Sequence, residues 1–241
     1  MQTLLSPATV TELNERFERS TPQEIVRWTL SGSDLEKVAL ASSFQDEAVA
    51  LAHMSVQVRP DVPVMFLETG FHFAETLAFK EQLTDRLGLN LWELTGQETV
   101  ESQARKHGER LYESNPTMCC RINKVEPLNA ALRTLDAWMT GLRRDSAPTR
   151  AGAPILDQYE LEPGKTLLKV SPLAAWSKRE VVRYLAEHDL PRHPLYRLGF
   201  ASIGCAPCTR ALFPGEDERA GRWPGADKVE CGIHLGPSPA S

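Results

Sequence analysis

No apolar run among the 241 residues reaches the ~18 needed to cross a bilayer, so a membrane protein is not expected. Basic character is missing as well. The chain has 27 Lys and Arg against 32 Asp and Glu, a formal net charge of −5. That balance argues against a general nucleic-acid surface, and any anionic ligand would have to be met by a local cluster of cations. Residues 1–16 hold no basic stretch followed by an apolar one, so no secretory leader is expected, and the cytoplasm is the expected location. Internal repeats and low-complexity tracts are also absent. What is present is 41% hydrophobic residues, enough to bury a sizeable core in one large α/β domain or two small ones. Five cysteines in such a chain argue for metal binding or catalysis over structural disulfides.

Short apolar stretches at 38–41, 63–67, 89–94, 137–142 and 166–170 read as strands. Helical patterns lie between them. Thr21-Pro22-Gln23-Glu24 is a capping box with Pro at the first helical position, and opens a helix toward Leu30. A second helix follows Ser42-Ser43-Phe44, a third spans 74–87 and closes at Gly88, and Ser177-Lys178-Arg179-Glu180 caps another that runs to about His188. Strands alternating with helices predict an α/β fold, a mostly parallel sheet with helices on both faces. From Leu190 the periodicity fades. The expected division is a domain over 1–214 and a mobile C-terminal tail over 215–241.

In such a sheet, ligands bind beyond the carboxyl ends of the strands. Three turns are candidates: Ser42-Ser43-Phe44-Gln45, Glu68-Thr69-Gly70 and Thr140-Gly141-Leu142-Arg143-Arg144. The first offers hydroxyls and backbone N–H groups to a phosphate, and the last offers two guanidiniums. Glu68 is ill-suited to phosphate and fits a ribose or adenine donor instead. Each turn alone is ordinary strand-to-helix punctuation, but three at one sheet edge favour a nucleotide site.

The sulfur pattern is sharper. Cys119-Cys120 and Cys205-Ala206-Pro207-Cys208 supply four soft ligands. Zinc and an iron–sulfur cluster suit them about equally, with a thioredoxin-like Cys205/Cys208 redox pair as a third reading. An adjacent pair is awkward for one tetrahedral ion, and easier for a cluster with separate irons. Lys124 follows closely; on its own it reads as a solvated helix charge, and beside ligating thiolates it could offset their negative charge. Cys231 is left over, in Glu230-Cys231-Gly232-Ile233-His234, downstream of Arg219 and Arg222. A cysteine on an exposed tail near cations is a candidate reactive thiol, with His234 a further candidate contributor.

Taken together, Ser42-Ser43-Phe44, Leu67-Glu68-Thr69-Gly70-Phe71-His72-Phe73-Ala74-Glu75-Thr76, Cys119-Cys120-Arg121-Ile122-Asn123-Lys124, Thr140-Gly141-Leu142-Arg143-Arg144, Ser202-Ile203-Gly204-Cys205-Ala206-Pro207-Cys208-Thr209-Arg210 and Glu230-Cys231-Gly232-Ile233-His234 resemble the assimilatory adenylyl-sulfate reductases of bacteria, in order and over nearly the whole chain. The resemblance implies an adenine-nucleotide α-hydrolase-like fold. It implies a four-iron four-sulfur cluster on Cys119, Cys120, Cys205 and Cys208, with Lys124 beside it. It implies a substrate site that includes Ser42, Ser43, Phe44, Leu67, Thr69, Gly70 and Gly141, with Arg143, Arg144, Arg219 and Arg222 around the phosphosulfate. Cys231 is then the nucleophile, and thioredoxin or glutaredoxin the reductant. A homo-oligomer remains open. The family's usual Leu-Asp-Thr-Gly is Leu67-Glu68-Thr69-Gly70 here, and Pro224-Gly225-Ala226 stands where many members carry further tryptophans.

The chemistry this implies is nucleophilic: adenosine 5′-phosphosulfate gives up its sulfate group to Cys231, and sulfite is then released by a dithiol. Reduction of the 3′-phosphorylated nucleotide is the main alternative, against which the four cluster-type cysteines argue. A tRNA thiolase would favour an intact Ser-Gly-Gly-x-Asp-Ser loop and a basic surface, and neither is present. A zinc-stabilised binding module is the non-catalytic rival.

Overall fold

The structure is a computed structural model that describes residues 5–233. Six strands form one sheet: β1 (Val38–Ser42), β2 (Pro63–Glu68), β3 (Asn90–Thr95), β4 (Ala137–Thr140), β5 (Leu156–Glu162) and β6 (Lys165–Val170), in the order β3-β2-β1-β4-β6-β5. All neighbours are parallel except β5, which pairs antiparallel with β6. The helices are α1 (Pro7–Phe17), α2 (Pro22–Arg27), α3 (Asp46–Val56), α4 (Ala74–Leu87), α5 (Val100–His107), α6 (Leu111–Ser114), α7 (Pro116–Cys120), α8 (Glu126–Leu132) and α9 (Lys178–Glu187).

Successive strand residues point to opposite faces, and both faces here are apolar. Val38, Leu40, Val64, Phe66, Ala137, Met139, Leu168 and Val170 face one core, which α1 to α4 and α9 cover. Ala39, Met65, Trp138 and Leu167 face a smaller one, closed by Leu128 and Leu132 of α8 and by Tyr159 and Leu161 of β5. Burial on both faces is why the central strands read as unbroken apolar runs.

Both predicted capping boxes form. The Thr21 hydroxyl accepts from the Glu24 N–H and the Ser177 hydroxyl from the Glu180 N–H, while each Glu reaches back to its cap. Gly88 ends α4 in the left-handed region, at φ 61°, as its place after Leu87 predicts.

The strand order reverses between β1 and β4. From β1 the chain winds out through β2 to β3, then crosses back to β4 on the other side. The loops leaving these two central strands therefore diverge and leave a crevice above their carboxyl ends, the usual ligand position in an open α/β sheet. Among the described residues, no helix is long and apolar enough to cross a membrane.

Residues 215–233 form neither helix nor strand, as their composition predicts, yet they are docked. Arg222 bridges antiparallel to Thr209, the Trp223 N–H donates to the Cys208 carbonyl at 2.9 Å, and the Trp223 side chain is only 4% exposed.

Candidate active site

A cleft of about 180 Å³ opens at the crevice. Ser42 and Ser43 reach it from the end of β1, Leu67 from β2, and Gly141 and Arg143 from the end of β4. Lys124 reaches it from the segment between α7 and α8, and Arg219, Arg222 and Cys231 from the docked tail. Nine of the predicted site residues thus meet in one place. Phe44 is not among the lining residues. It is buried edge-on against Phe66, at φ 54°, and its N–H donates to the Ser42 Oγ at 3.2 Å. A left-handed phenylalanine is unusual, and here it turns the chain from strand to helix so that Ser42 and Ser43 face the cleft.

Thr69, Gly70 and Arg144 do not line it. The Thr69 hydroxyl lies 3.4 Å from the Cys205 Sγ, so it sides with the cysteines. The Glu68 Oε1 accepts from the Gly70 N–H at 2.8 Å and closes its own turn. Arg144 is engaged away from the cleft: both terminal nitrogens bind Glu18, and Nε donates to the Ala153 carbonyl at 2.7 Å. Arg143 does border the cleft, but its 1% exposed guanidinium pairs with Glu47, Asp145 and Glu218. Three carboxylates surround its one charge, and each of its nitrogens donates to one of them. His234 lies outside the described residues.

Arg222 is different. Its Nε is buried without a hydrogen-bond partner among the described residues, and its guanidinium stacks 4.6 Å above the Trp223 ring. Gly204 makes room for it, since a Cβ there would collide with the guanidinium. A buried, unmatched N–H is costly, and this one belongs to a cation at the cleft. An anion is the natural partner.

The cysteines line a second, smaller cavity beside the first. Cys119, Cys120, Cys205 and Cys208 share it with Lys124 and Trp223. Cys119 and Cys120 end α7, and a one-turn π-helix over Arg121–Val125 carries the chain into α8. Helix neighbours splay by about 100°. Cys120 accordingly packs with Cys205, Cys208 and Trp223, while Cys119 packs with Leu111 and Ile122. The Asn123 side chain, paired with Gln103, donates to the Cys119 carbonyl at 3.0 Å and lies 3.5 Å from its Sγ. The Ala206 N–H donates to the Phe71 carbonyl at 2.7 Å and ties the C-x-x-C loop to the sheet edge.

Burial dominates the electrostatics of the four thiols. It pushes Cys119 and Cys208 up to about 11, reinforced by the neighbouring thiolates, and raises Cys120 as well. Cys205 alone falls below the usual thiol value: burial works against its charge, but Lys124, the Thr69 hydroxyl and Arg222 outweigh it. Lys124 responds in kind. Burial would lower it, yet Cys205, Cys231 and Cys120 hold it up at about 12. Ligation by all four would require them as thiolates, and their combined charge would then exceed what one lysine offsets. Among the described residues, no three His, Cys, Asp or Glu converge on a single ion. The donor set is four soft thiols around one cavity, of the kind that zinc and iron–sulfur clusters both take.

The sequence did not single out His72, Arg150, Glu218 or Glu230. His72 lines the cleft, and burial lowers its pKa against the Leu67 carbonyl, 2.8 Å from its Nε2. Glu218 and Glu230 precede Arg219 and Cys231. That adjacency was the only available signal, since their partners Arg143 and Arg150 lie 75 and 80 residues away.

With this geometry in hand, the chain can be set beside known proteins. The phosphoadenosine phosphosulfate reductase domain matches residues 37–211. A Streptomyces coelicolor protein named adenosine 5′-phosphosulfate reductase is 41% identical over 218 residues, 90% of each chain. A Mycobacterium tuberculosis protein of the same name is 44% identical over 195 residues, 81% of this chain and 75% of its own. The crystal structure of phosphoadenylyl-sulfate reductase from Candida auris superposes with a TM-score of 0.72 at 26% identity, over 86% of this chain and 98% of that one. The chain belongs to the phosphoadenosine phosphosulfate reductase family.

Proposed function

We propose that this protein is a sulfur-group oxidoreductase of sulfate assimilation that reduces adenosine 5′-phosphosulfate to sulfite and AMP. The observation that carries the reading is the convergence of the Cys231 thiol, Lys124, Arg219 and Arg222 on one cleft at the strand-order reversal. The nucleotide occupies the crevice, with Ser42, Ser43 and Gly141 toward the phosphate. Arg222, with its unmatched Nε, meets the phosphosulfate, and Arg219 supports it.

The Cys231 thiolate attacks the sulfate sulfur. The bond from that sulfur to the bridging oxygen breaks, and AMP leaves with the electron pair. Arginines beside the bridging oxygen stabilise the charge that develops there. A cysteine S-sulfonate remains. A thiolate of thioredoxin, or of glutaredoxin, then attacks the Cys231 Sγ and expels sulfite with an electron pair. The second thiol of the dithiol resolves the mixed disulfide and frees Cys231. The two electrons thus come from the dithiol, and both thiols need a reducing compartment such as the cytoplasm.

Cys119, Cys120, Cys205 and Cys208 are the residues that would hold a four-iron four-sulfur cluster. When bound, that group supplies positive metal charge to ligating thiolates and an electrostatic neighbour for Lys124. The test of the reading is sulfite release from anaerobically purified protein with reduced thioredoxin, comparing both nucleotides. At least about tenfold higher kcat/KM for the nucleotide without a 3′-phosphate is expected. The reverse preference would transfer the assignment to the 3′-phosphorylated substrate, which the Candida auris likeness favours.

A further inference from the structure

Cys231 reaches the cleft on a loop that has no helix or strand of its own. Contacts to the rest of the protein therefore bear on where the thiol sits, and the residue before it makes one of them. Arg150, on the short helical turn Pro148–Arg150 after β4, grips Glu230 with a two-pronged fork. Nε donates to Oε1 and Nη2 to Oε2, each at 2.8 Å. The Thr149 hydroxyl donates to the same carboxylate at 3.3 Å, and the Arg219 Nη2 at 3.2 Å. Arg150 is itself anchored. Its Nη1 donates to the Ser146 Oγ at 3.3 Å, which donates to the Arg143 carbonyl at 2.8 Å. The Glu230 side chain is 5% exposed and that of Arg150 12%. A bidentate pair this far out of water fixes direction as well as distance.

We propose that Arg150 is a positioning residue for the reaction, and that it holds the Cys231 thiol at the cleft by clamping Glu230. The proposal rests on the reading of Cys231 as nucleophile. Its logic is that of near-attack geometry: a thiol on a loop samples many positions, and a small misplacement costs rate more than affinity. Arg150 also borders the cleft, so the rival role is direct contact with the substrate anion. The two roles predict different kinetics.

The experiment uses full-length, cluster-loaded enzyme with no reductant, and follows S-sulfonate formation on Cys231 in a single turnover. Arg150→Ala, Arg150→Lys, Glu230→Gln and the double variant Arg150→Ala/Glu230→Gln are compared with wild type. If Arg150 acts through Glu230, each of Arg150→Ala and Glu230→Gln slows adduct formation by about tenfold or more while nucleotide affinity stays within about threefold. The double variant is then no slower than the slower single, because both remove one interaction. Arg150→Lys recovers only part of the rate, since a point charge cannot reproduce the fork. Additive losses, or a loss carried mainly by affinity, would make Arg150 a direct substrate contact and overturn the proposal. Wild-type rates in both single variants would overturn it as well.

A second readout needs no nucleotide: the rate at which iodoacetamide alkylates Cys231, located by peptide mass. Loosening the clamp should raise it by about tenfold in Arg150→Ala and in Glu230→Gln. Unchanged alkylation in both would contradict the clamp. Because Glu230→Gln is nearly isosteric, the test survives if Arg150→Ala does not fold. Should wild type form no adduct, the proposed reaction fails, and the alkylation rates still decide whether Arg150 restrains the thiol.

Discussion

Arg143 and Arg222 bring the same guanidinium into different electrostatic situations. Arg143 is buried among Glu47, Asp145 and Glu218. Arg222 keeps a buried Nε without a partner among the described residues and stacks on Trp223. Replacing each by Ala should therefore fail in different ways. Arg143→Ala leaves carboxylates facing one another, and should lower unfolding stability by about 3–5 kcal/mol, read from urea denaturation. Arg222→Ala should leave stability nearly unchanged but lower kcat/KM by one to a few orders of magnitude, with Arg222→Lys recovering part. Normal turnover in Arg222→Ala would move the anion contact to Arg219 or to the serines. The residue types at the site were legible in sequence, because cysteine spacing and tail arginines carry their chemistry openly. Their assignments were less so. Nothing near Arg144 in the chain reveals that Glu18, 126 residues away, takes its guanidinium.

At the scale of elements, the join between α4 and the turn Pro194–Leu198 carries a pH dependence. The Leu195 N–H donates to the His193 Nδ1 at 3.3 Å, so in the neutral ring the proton sits on Nε2, 3.0 Å from the Thr76 Oγ1. Burial pushes His193 from its ordinary 6.5 down to about 4, against the pull of Asp46 and Glu75. Protonation would also cost the Leu195 bond. A depressed histidine pKa means that the unfolded chain binds the proton first. Its stabilisation is complete above pH 6.5 and is lost progressively as pH falls toward 4. Between pH 7 and pH 5 it should cost about 2 kcal/mol of unfolding free energy, and His193→Gln should flatten that slope. An imidazole titrating near 6.5 by NMR would contradict this.

The elements themselves were unequally visible. β1, β2, β4 and β6 were legible because burial on both faces leaves apolar runs, and α2, α4 and α9 because caps and a terminal glycine mark their ends. β5 was not foreseen: Asp157, Glu160 and Glu162 interrupt Leu156, Tyr159 and Leu161, as expected of an edge strand with one wet face. The largely polar α5 gives no apolar stripe to read. α7 and α8 are joined through a π-turn that breaks the 3.6-residue period at Lys124.

At the scale of the whole molecule, the tail joins the cleft to the cysteine cavity. Trp223 packs against Cys120, Cys205 and Cys208, while Arg219, Arg222 and Cys231 face the cleft. If the four cysteines ligate a cluster, its loss should loosen the tail as well, since ligation couples to folding. Anaerobically purified protein should be brown, with iron and acid-labile sulfide in near-equal amounts. Cys→Ser at 119, 120, 205 or 208 should lose both and melt at lower temperature. Stoichiometric zinc without sulfide would remove the cluster from the account.

Whether Cys231 carries the sulfur between the two half-reactions is read by intact-protein and peptide mass spectrometry. Enzyme mixed with adenosine 5′-phosphosulfate and no reductant should release one AMP per active site and gain the mass of one SO₃ group on the peptide that contains Cys231. Reduced thioredoxin should release sulfite and restore the mass, and Cys231→Ser should bind nucleotide but form no adduct. An adduct on another cysteine, or full turnover by Cys231→Ser, would contradict the mechanism.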